Sequence, residues 1–268
     1  MADGASLANV YLQLIPSMGG AQKTIAAELS PIAEKAGDQA GAKGGKRFGA
    51  SFKAGMAGFL GGAVVTKLIS GAVDFARESI ESLGRIETIN TQTESVIAST
   101  GGAAQVTAKQ VEDLAGRLEG LTATEAESIQ EGANMLLTFK NIQNEGGKTG
   151  GIFDQTVVAA TDMARAMGTD VKSASMMLGK ALNDPATGLS KLSRAGVTFT
   201  DQQQEQIKAM SNAGDTAGAQ ALMLAELNAQ FGGSGEAYAS TYAGQMELVG
   251  HAVGTLGETI MQAAMPAL

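Results

Sequence analysis

Apolar side chains between residues 171 and 182 recur at the spacing of one face of an α-helix. They fall at i, i+3, i+7, i+10 and i+11, and they are Val171, Ala174, Leu178, Ala181 and Leu182. Asn183, Asp184 and Pro185 follow at once. The residue before a proline is disfavoured in the α region, and asparagine and aspartate favour turns. The pattern therefore predicts a helix that ends at this tripeptide.

A second corner is predicted after one more short helix. That helix runs to Arg194, and Gly196 stands where a left-handed helix cap needs a glycine. Thr200 can cap the next helix, because Gln203 lies at the spacing of a capping box. We therefore expect residues 173–235 to form three helices joined by two corners.

Regular helical patterning begins near residue 85. One predicted face collects Ile86, Ile89, Thr93, Val96 and Ile97. The paired glycines Gly101 and Gly102 end this pattern. Thr107 and Thr124 each precede a Gln or Glu by three residues, so each is expected to open a helix with a capping box.

The sequence also predicts the helix after Thr124 and the next helix along the chain. The inner face of the first is expected to contain Ile129, Ala133, Leu136 and Leu137. Residues 144–151 are predicted to form a loop, and residues 153–167 a helix that Gly168 ends. Asp170 is placed to cap the helix that begins at Val171.

These elements predict a mostly α-helical protein in three parts. Residues 86–235 are expected to form a compact multi-helix bundle, because short connections favour neighbouring packing. Residues 1–85 are expected to form a looser, flexible, Gly-rich arm. It would contain a short strand ending at Pro16, a helix over residues 22–35, a Gly/Lys linker over residues 37–49 and an apolar small-residue helix. Residues 236–268 would start a long amphipathic, coiled-coil-like helix.

Composition narrows the function classes. Of 268 residues, 36 are glycine, only 4% are aromatic, and the formal net charge is −8. Few aromatic rings leave little surface for base stacking, and phosphate neutralisation needs a basic surface, so specific nucleic-acid binding is not expected. The chain has no cysteine, which removes disulfides, thiolate catalysis and Cys-ligated metals.

The most apolar stretch, residues 54–76, has two interpretations. A membrane span needs about 20 apolar residues, and Lys67 and Asp74 interrupt this one. The stretch could therefore be a helix that packs closely against sister copies through small residues, since glycines allow backbones to approach. It could also meet a membrane. The residues assigned to either role are Gly61, Gly62 and Val65.

The end of the chain carries a second repeating pattern. Its apolar positions are spaced 4, 3, 4, 3, 4 and 3, and they are Tyr242, Met246, Val249, Val253, Leu256, Ile260 and Ala263. This spacing is typical of an a/d heptad seam, with Met246, Val249, Val253, Leu256 and Ile260 as its centre. An amphipathic helix lying on the preceding bundle would show the same pattern over so short a run.

Catalysis finds little support in the sequence. His251 is the only histidine, so a Ser-His-Asp arrangement would have to use it. Acidic residues near the start of the helix after Thr124 fit the positive end of the helix dipole without any acid–base role. We expect no enzymatic activity, no metal site and no cofactor.

A long ordered string of residues resembles a known family. The segments LGKALNDPATGLSKLSRAGVTFTDQQQEQIKAM and AQALMLAELNAQFGG, with NMLLTFKNI and GIFDQTVVAATDMARAMGTD before them, are similar to the helical region of tail tape measure proteins of long-tailed bacteriophages and prophages. The likeness covers roughly the last two thirds of the chain. The motif residues taken to define its corners and packing are Leu178, Asn183, Asp184, Pro185, Gly188, Gly196, Phe199, Phe231 and Gly232.

The resemblance implies a structural ruler. Several copies, in a number that could be three, would lie in the tail lumen while the tail tube protein polymerises around them. Tail assembly chaperones and tail tip proteins would be further partners. The protein would be made in the host cytoplasm and ejected ahead of the genome, with contact to the host membrane during delivery. A helix of 268 residues would reach only about 400 Å. Family members are usually longer, so we expect a fragment of a longer protein.

Two other classes stay open at this stage. A membrane-active pore former or prophage toxin would depend on residues 54–76. Part of a larger peptidoglycan hydrolase would depend on His251.

Overall fold

A computed structural model describes the backbone of residues 65–264 and the side chains of residues 77–259. The predicted strand before Pro16, the helix over residues 22–35 and the linker over residues 37–49 lie outside the described residues. So does the first half of the apolar stretch at residues 54–76. Gly61 and Gly62 are therefore not described.

The described part of the chain is mostly α-helical and contains no β-strand between residues 65 and 264. A single 3₁₀ turn, Glu145–Gly147, lies in the loop that follows α3. The helices are α1 (Val65–Ser99), α2 (Ala108–Thr122), α3 (Ala126–Leu136), α4 (Ile152–Met167), α5 (Val171–Leu182), α6 (Pro185–Arg194), α7 (Asp201–Asn212), α8 (Thr216–Phe231), α9 (Ser234–Ala239) and α10 (Tyr242–Ala264).

Helix α5 is the centre of the packing. It contacts α3, α4 and α6, while α8 lies across α4 and α7. The short helix α9 contacts α2 and α4. The predicted inward face of α5 is confirmed, since all five of its apolar positions are buried; they are Val171, Ala174, Leu178, Ala181 and Leu182.

Most of the predicted helix ends are confirmed. Thr107 and Thr200 each close a full capping box. The Asp170 carboxylate accepts a hydrogen bond of 2.7 Å from the backbone N–H of Ser173. At the other end of helices, Gly168 and Gly196 have positive φ angles of 66° and 94°. The tripeptide at residues 183–185 separates α5 from α6 as expected.

The predicted cap at Thr124 is wrong. Helix α3 has Glu125 at its cap position, and no side chain caps it. Instead, the Thr124 hydroxyl accepts a hydrogen bond from the Arg165 guanidinium at 3.2 Å. The backbone N–H of Ala126 donates to the Glu119 carboxylate at 3.3 Å. Groups from α2 and α4 have therefore replaced the local capping partner.

The expectation of three helices within residues 173–235 is also wrong. Four helices, α5 to α8, occupy this segment, and α9 begins at its end. Gly214 has a φ of 85°, and the Asp215 carboxylate accepts a hydrogen bond of 2.9 Å from the N–H of Gly218. A glycine followed by a capping aspartate marks the end of one helix and the start of the next. The corners at residues 183–185 and 196–200 were predicted from signals of the same kind.

The predicted division of the chain into three parts stays a prediction, and the bounds of the described helices can be set beside it. Helix α1 runs without a break through the predicted boundary between residues 85 and 86. The chain divides into two units between Ala72 and Val73. Residue 236 lies inside α9, and α10 begins at Tyr242.

Close contacts around α5 depend on glycine. A Cβ atom on Gly188 would overlap the backbone carbonyl of Ala181, so α6 can turn back against α5 only without a side chain there. A Cβ atom on Gly179 would overlap the ring of Phe139. The backbone of Ala181 cannot move aside without breaking the helix, which makes Gly188 the more constrained position.

We predict that Gly188→Ala lowers the free energy of unfolding by about 1–3 kcal/mol, because the added methyl group overpacks the α5–α6 contact. Urea unfolding measures the change. The matched control is Gly116→Ala on α2, where the added atom meets nothing within 4 Å. That control should be neutral or raise stability by up to about 1 kcal/mol, since alanine favours helix interiors. Equal effects of the two substitutions would show that the close contact is not needed.

We predict that Gly196→Val costs about 1–3 kcal/mol, because a β-branched residue is strained at a φ of 94°. Thermal unfolding followed by circular dichroism measures it. Thr198→Val, two residues on and exposed, places the same side chain on backbone without a positive φ and should change little. A wild-type melting temperature for Gly196→Val would contradict the left-handed cap.

Candidate functional site

The corner residues of the sequence motif serve the packing of the helices. The Asn183 side-chain oxygen accepts from the backbone N–H of Asn141 at 3.3 Å, and the Asn183 carbonyl accepts from the Asn141 amide at 2.8 Å. The buried amide of Gln220 donates to the carbonyl of Asn141 at 2.7 Å and to that of Leu182 at 2.9 Å. Three separate segments are therefore joined at this corner.

The remaining motif residues are structural as well. Leu178 is fully buried, Pro185 is the first residue of α6, and the Asp184 carboxylate accepts from the Thr187 hydroxyl at 2.7 Å. The two aromatic residues, Phe199 and Phe231, belong to the core or pack against it. Gly232 ends α8, and its N–H donates to the carbonyl of Asn228.

An open groove between α2, α4 and α8 has a cavity volume of about 540 Å³. Two carboxylates line it, and both are already in use. Asp154 accepts from the Asn144 amide and from the N–H of Gly150, each at 2.7 Å. Buried Asp162 accepts from the backbone N–H groups of Gly233 and Gly235 at 3.0 Å and 2.9 Å. The groove therefore offers no free acid–base pair.

Asp162 is a residue that sequence reasoning missed. It holds the first turn of α9 against α4, although it lies 71 residues before Gly233. The signal in the sequence was a carboxylate within a predicted helix, between Thr161 and Met163. Both neighbours are buried, and a buried charge needs partners. Nothing in the sequence named the partner.

Helix α10 rests on the rest of the molecule partly through polar contacts. The Tyr238 hydroxyl donates to the Glu247 carboxylate at 2.6 Å, and this hydrogen bond raises the pKa of Tyr238. The Arg165 guanidinium lies 3.8 Å from the centre of the Tyr238 ring and 3.8 Å from Glu247. Arg165 thereby links α4, α9 and α10, and its hydrogen bond to Thr124 adds the start of α3.

Further along α10, polar groups again face neighbouring helices. His251 Nδ1 lies 3.4 Å from Glu119 Oε1 on α2. The Ser82 hydroxyl of α1 donates to Glu258 at 2.5 Å. Gly244 provides close contact at the start of the helix, where a Cβ atom would overlap the carbonyl of Tyr238. Residues 244, 247, 251 and 258 therefore lie on a side of α10 that contacts its own chain.

The predicted heptad seam lies on nearly the opposite side of α10, since successive residues are about 100° apart around a helix. Tyr242, Met246 and Val253 are exposed, at 73%, 44% and 47%. Val249 and Leu256 are half-buried. The side chain of Ile260 lies outside the described residues. The apolar face of α10, defined as Tyr242, Met246, Val249, Val253 and Leu256, therefore points largely to solvent.

The predicted membrane or self-association residues and the question of a metal site are described only in part. Val65 begins α1, but its side chain is not described. Among the described helices, none is both long enough and apolar enough to cross a membrane. Among the side chains of residues 77–259, there is no group of three or more that could hold a metal ion.

Comparison with known proteins gives no match to this chain, whether it is set against protein-family models, curated proteins or solved structures.

We predict that the apolar face of α10 mediates weak, concentration-dependent self-association, most favourably to a trimer. Helix-breaking glycines within α10, such as Gly250 and Gly254, should keep this association weak. Sedimentation velocity over a wide concentration range measures it. The double variant Met246→Asp and Val253→Asp should remain monomeric, because it places two charges in the seam.

The matched control places the same two charges beside the seam. Ala243 and Ala252 are exposed on α10 outside the apolar face. The double variant Ala243→Asp and Ala252→Asp should associate as the wild type does. A tight oligomer that survives the seam substitutions would show that copies are held elsewhere.

Proposed function

We propose that this chain is part of a tail tape measure protein, a non-enzymatic structural component that sets the length of a long phage tail. In this proposal it templates polymerisation of the tail tube and leaves the tail ahead of the genome, aiding DNA passage into the host. The carrying observation is the ordered string of residues from α3 to α8 that resembles the family.

The positions of the motif residues support a structural role for that string. Its conspicuous polar residues, Asn183 and Asp184, make hydrogen bonds at a helix corner. Gly188 allows the close contact of α6 with α5. Residues that specify helix packing, and not a reaction, are what a structural protein needs.

A ruler also needs copies that lie side by side. The solvent-facing apolar face of α10 supports such an arrangement, because it leaves a heptad-spaced stripe available while the opposite side of the helix contacts its own chain. In the tail, this coiled-coil-like helix would continue into the remainder of the protein. The bundle over residues 86–235 would be its compact part.

The partners follow from this assignment. The tail tube protein would surround the assembled copies in the tail lumen, and tail assembly chaperones and tail tip proteins would bind during assembly. The protein would be synthesised in the host cytoplasm. Residues 54–76 would provide the host membrane contact during genome delivery.

Tail length gives the direct test. Duplicating three heptads of α10, residues 243–263, in the virus that carries the gene should lengthen tails by about 30 Å, because each helical residue adds about 1.5 Å. Electron microscopy of negatively stained particles measures the length distribution. A control virus carrying two silent changes in the same region should keep wild-type tails.

Unchanged tail length in viable particles with the duplication would refute the ruler assignment. The neighbouring genes offer an independent check. A tape measure gene is expected directly after a frameshifted pair of tail chaperone genes, and a different neighbourhood would count against the proposal.

A further inference from the structure

Basic side chains gather at the corner between α5 and α6, in a chain whose formal net charge is −8. Lys191 Nζ lies 3.5 Å from the backbone carbonyl of Lys180, so these two lysines are neighbours on crossing helices. The segment after α3 meets the same corner, because the backbone N–H of Asn141 donates to the Asn183 side chain at 3.3 Å. The basic patch is defined as four exposed residues, Lys140, Lys180, Lys191 and Arg194.

The basic patch has no charged partner in the part of the chain that the structure describes. None of its four cations belongs to an ion pair there. Asp184, the carboxylate at this corner, accepts a hydrogen bond from the Thr187 hydroxyl at 2.7 Å instead. Met176 lies one turn before Lys180 on α5 and is 37% exposed. Unpaired cations beside an exposed methionine suit a protein partner better than a phosphate backbone, which needs only the charges.

The outward side of α1 offers the complementary groups. Its α1 stripe is defined as Ile80, Glu87 and Glu94, which lie on one side of the helix because they are spaced by seven residues. Ile80 is 53% exposed, and both glutamates are exposed. Neither glutamate forms an ion pair with another described side chain. Contacts of α1 with its own chain come from its other side, through Ser82 and Thr93.

The two surfaces correspond in their order of groups as well as in charge. On α5, the apolar side chain of Met176 precedes the cation of Lys180 by one turn. On α1, Ile80 precedes Glu87 by about 10 Å along the helix axis. Lysine side chains are long and flexible enough to cover the difference. Contact between Ile80 and Met176 would therefore bring Glu87 close to Lys180 and Lys191.

We propose that the basic patch of one copy binds the α1 stripe of a second copy, in a head-to-tail contact held mainly by charge. The patch and the stripe are different surfaces, so each paired copy keeps one of them free and the contact can repeat along a series of copies. The contact does not use the apolar face of α10 and does not depend on the proposed tail function.

Sedimentation velocity of the full chain at about 20 mM and about 500 mM salt tests the contact, because exposed charges are largely screened at the higher salt. We expect self-association to be at least about tenfold tighter at low salt. Apolar association through α10 is not weakened by salt, so it alone remains at about 500 mM. Two charge-reversed variants, Lys180→Glu with Lys191→Glu and Glu87→Lys with Glu94→Lys, should each lose the low-salt gain, since like charges then face each other.

Mixing the two charge-reversed proteins identifies the partner as a second copy. An equal mixture should recover the low-salt gain, because each protein then meets a surface of opposite charge. The matched control, Arg117→Glu with Lys148→Glu, reverses two exposed cations outside the basic patch and should associate as the wild type does.

Three results would overturn the proposal: no low-salt gain in the wild type, an undiminished gain in either charge-reversed variant, or no recovery in their mixture. A labelled DNA duplex tests the rival ligand. Binding of the duplex by the wild type, its loss in Lys180→Glu with Lys191→Glu, and no recovery of association in the mixture would assign the basic patch to nucleic acid instead.

Discussion

The arrangement of helices depends on how closely neighbours can approach α5. Gly188 lets α6 fold back onto the carbonyl of Ala181, and Gly179 accepts the ring of Phe139. Gly132 of α3 faces α5 in the same way. An apolar stripe alone would bring helices together at an ordinary distance and leave their relative position loosely specified, since protein interiors need complementary shapes for one well-ordered packing. Glycine at these helix crossings fixes the relative position of the helices, because only one placement allows the close contact. Close packing of this kind needs few large aromatic side chains, and the chain has few.

Polar groups then join segments that are remote along the chain. Asp162 holds the start of α9, Gln220 joins the loop after α3 to the end of α5, and Arg165 reaches from α4 to α10. Asp162 and Gln220 are buried, and each makes its hydrogen bonds to groups that come together only in this packing. Loss of one partner would leave the other without a hydrogen bond inside the protein, which costs more than the bond itself contributes. These ties therefore select one arrangement among the many that apolar packing allows.

Helix α10 contacts its own chain partly through polar side chains. Glu247, His251 and Glu258 reach α9, α2 and α1, while Met246 and Val253 are exposed. An exposed apolar stripe is unfavourable for an isolated chain and becomes useful where copies are concentrated side by side. The histidine lies on the other side of the same helix, beside Glu119. Contact with the chain and exposure of the apolar stripe therefore belong to opposite sides of α10.

The sequence by itself determined where most helices begin and end, because caps such as Thr107, Asp170 and Gly196 act on groups within four residues of themselves. It predicted the mostly helical class and the heptad stripe for the same reason. Only the tertiary structure decided which side of α10 faces inward. It also decided that the Thr124 hydroxyl binds Arg165 instead of capping α3, and which N–H groups donate hydrogen bonds to Asp162. Those partners are tens of residues apart along the chain. A pattern with a period of three or four residues shows which side of a helix is apolar, but not which remote segment will pack against it.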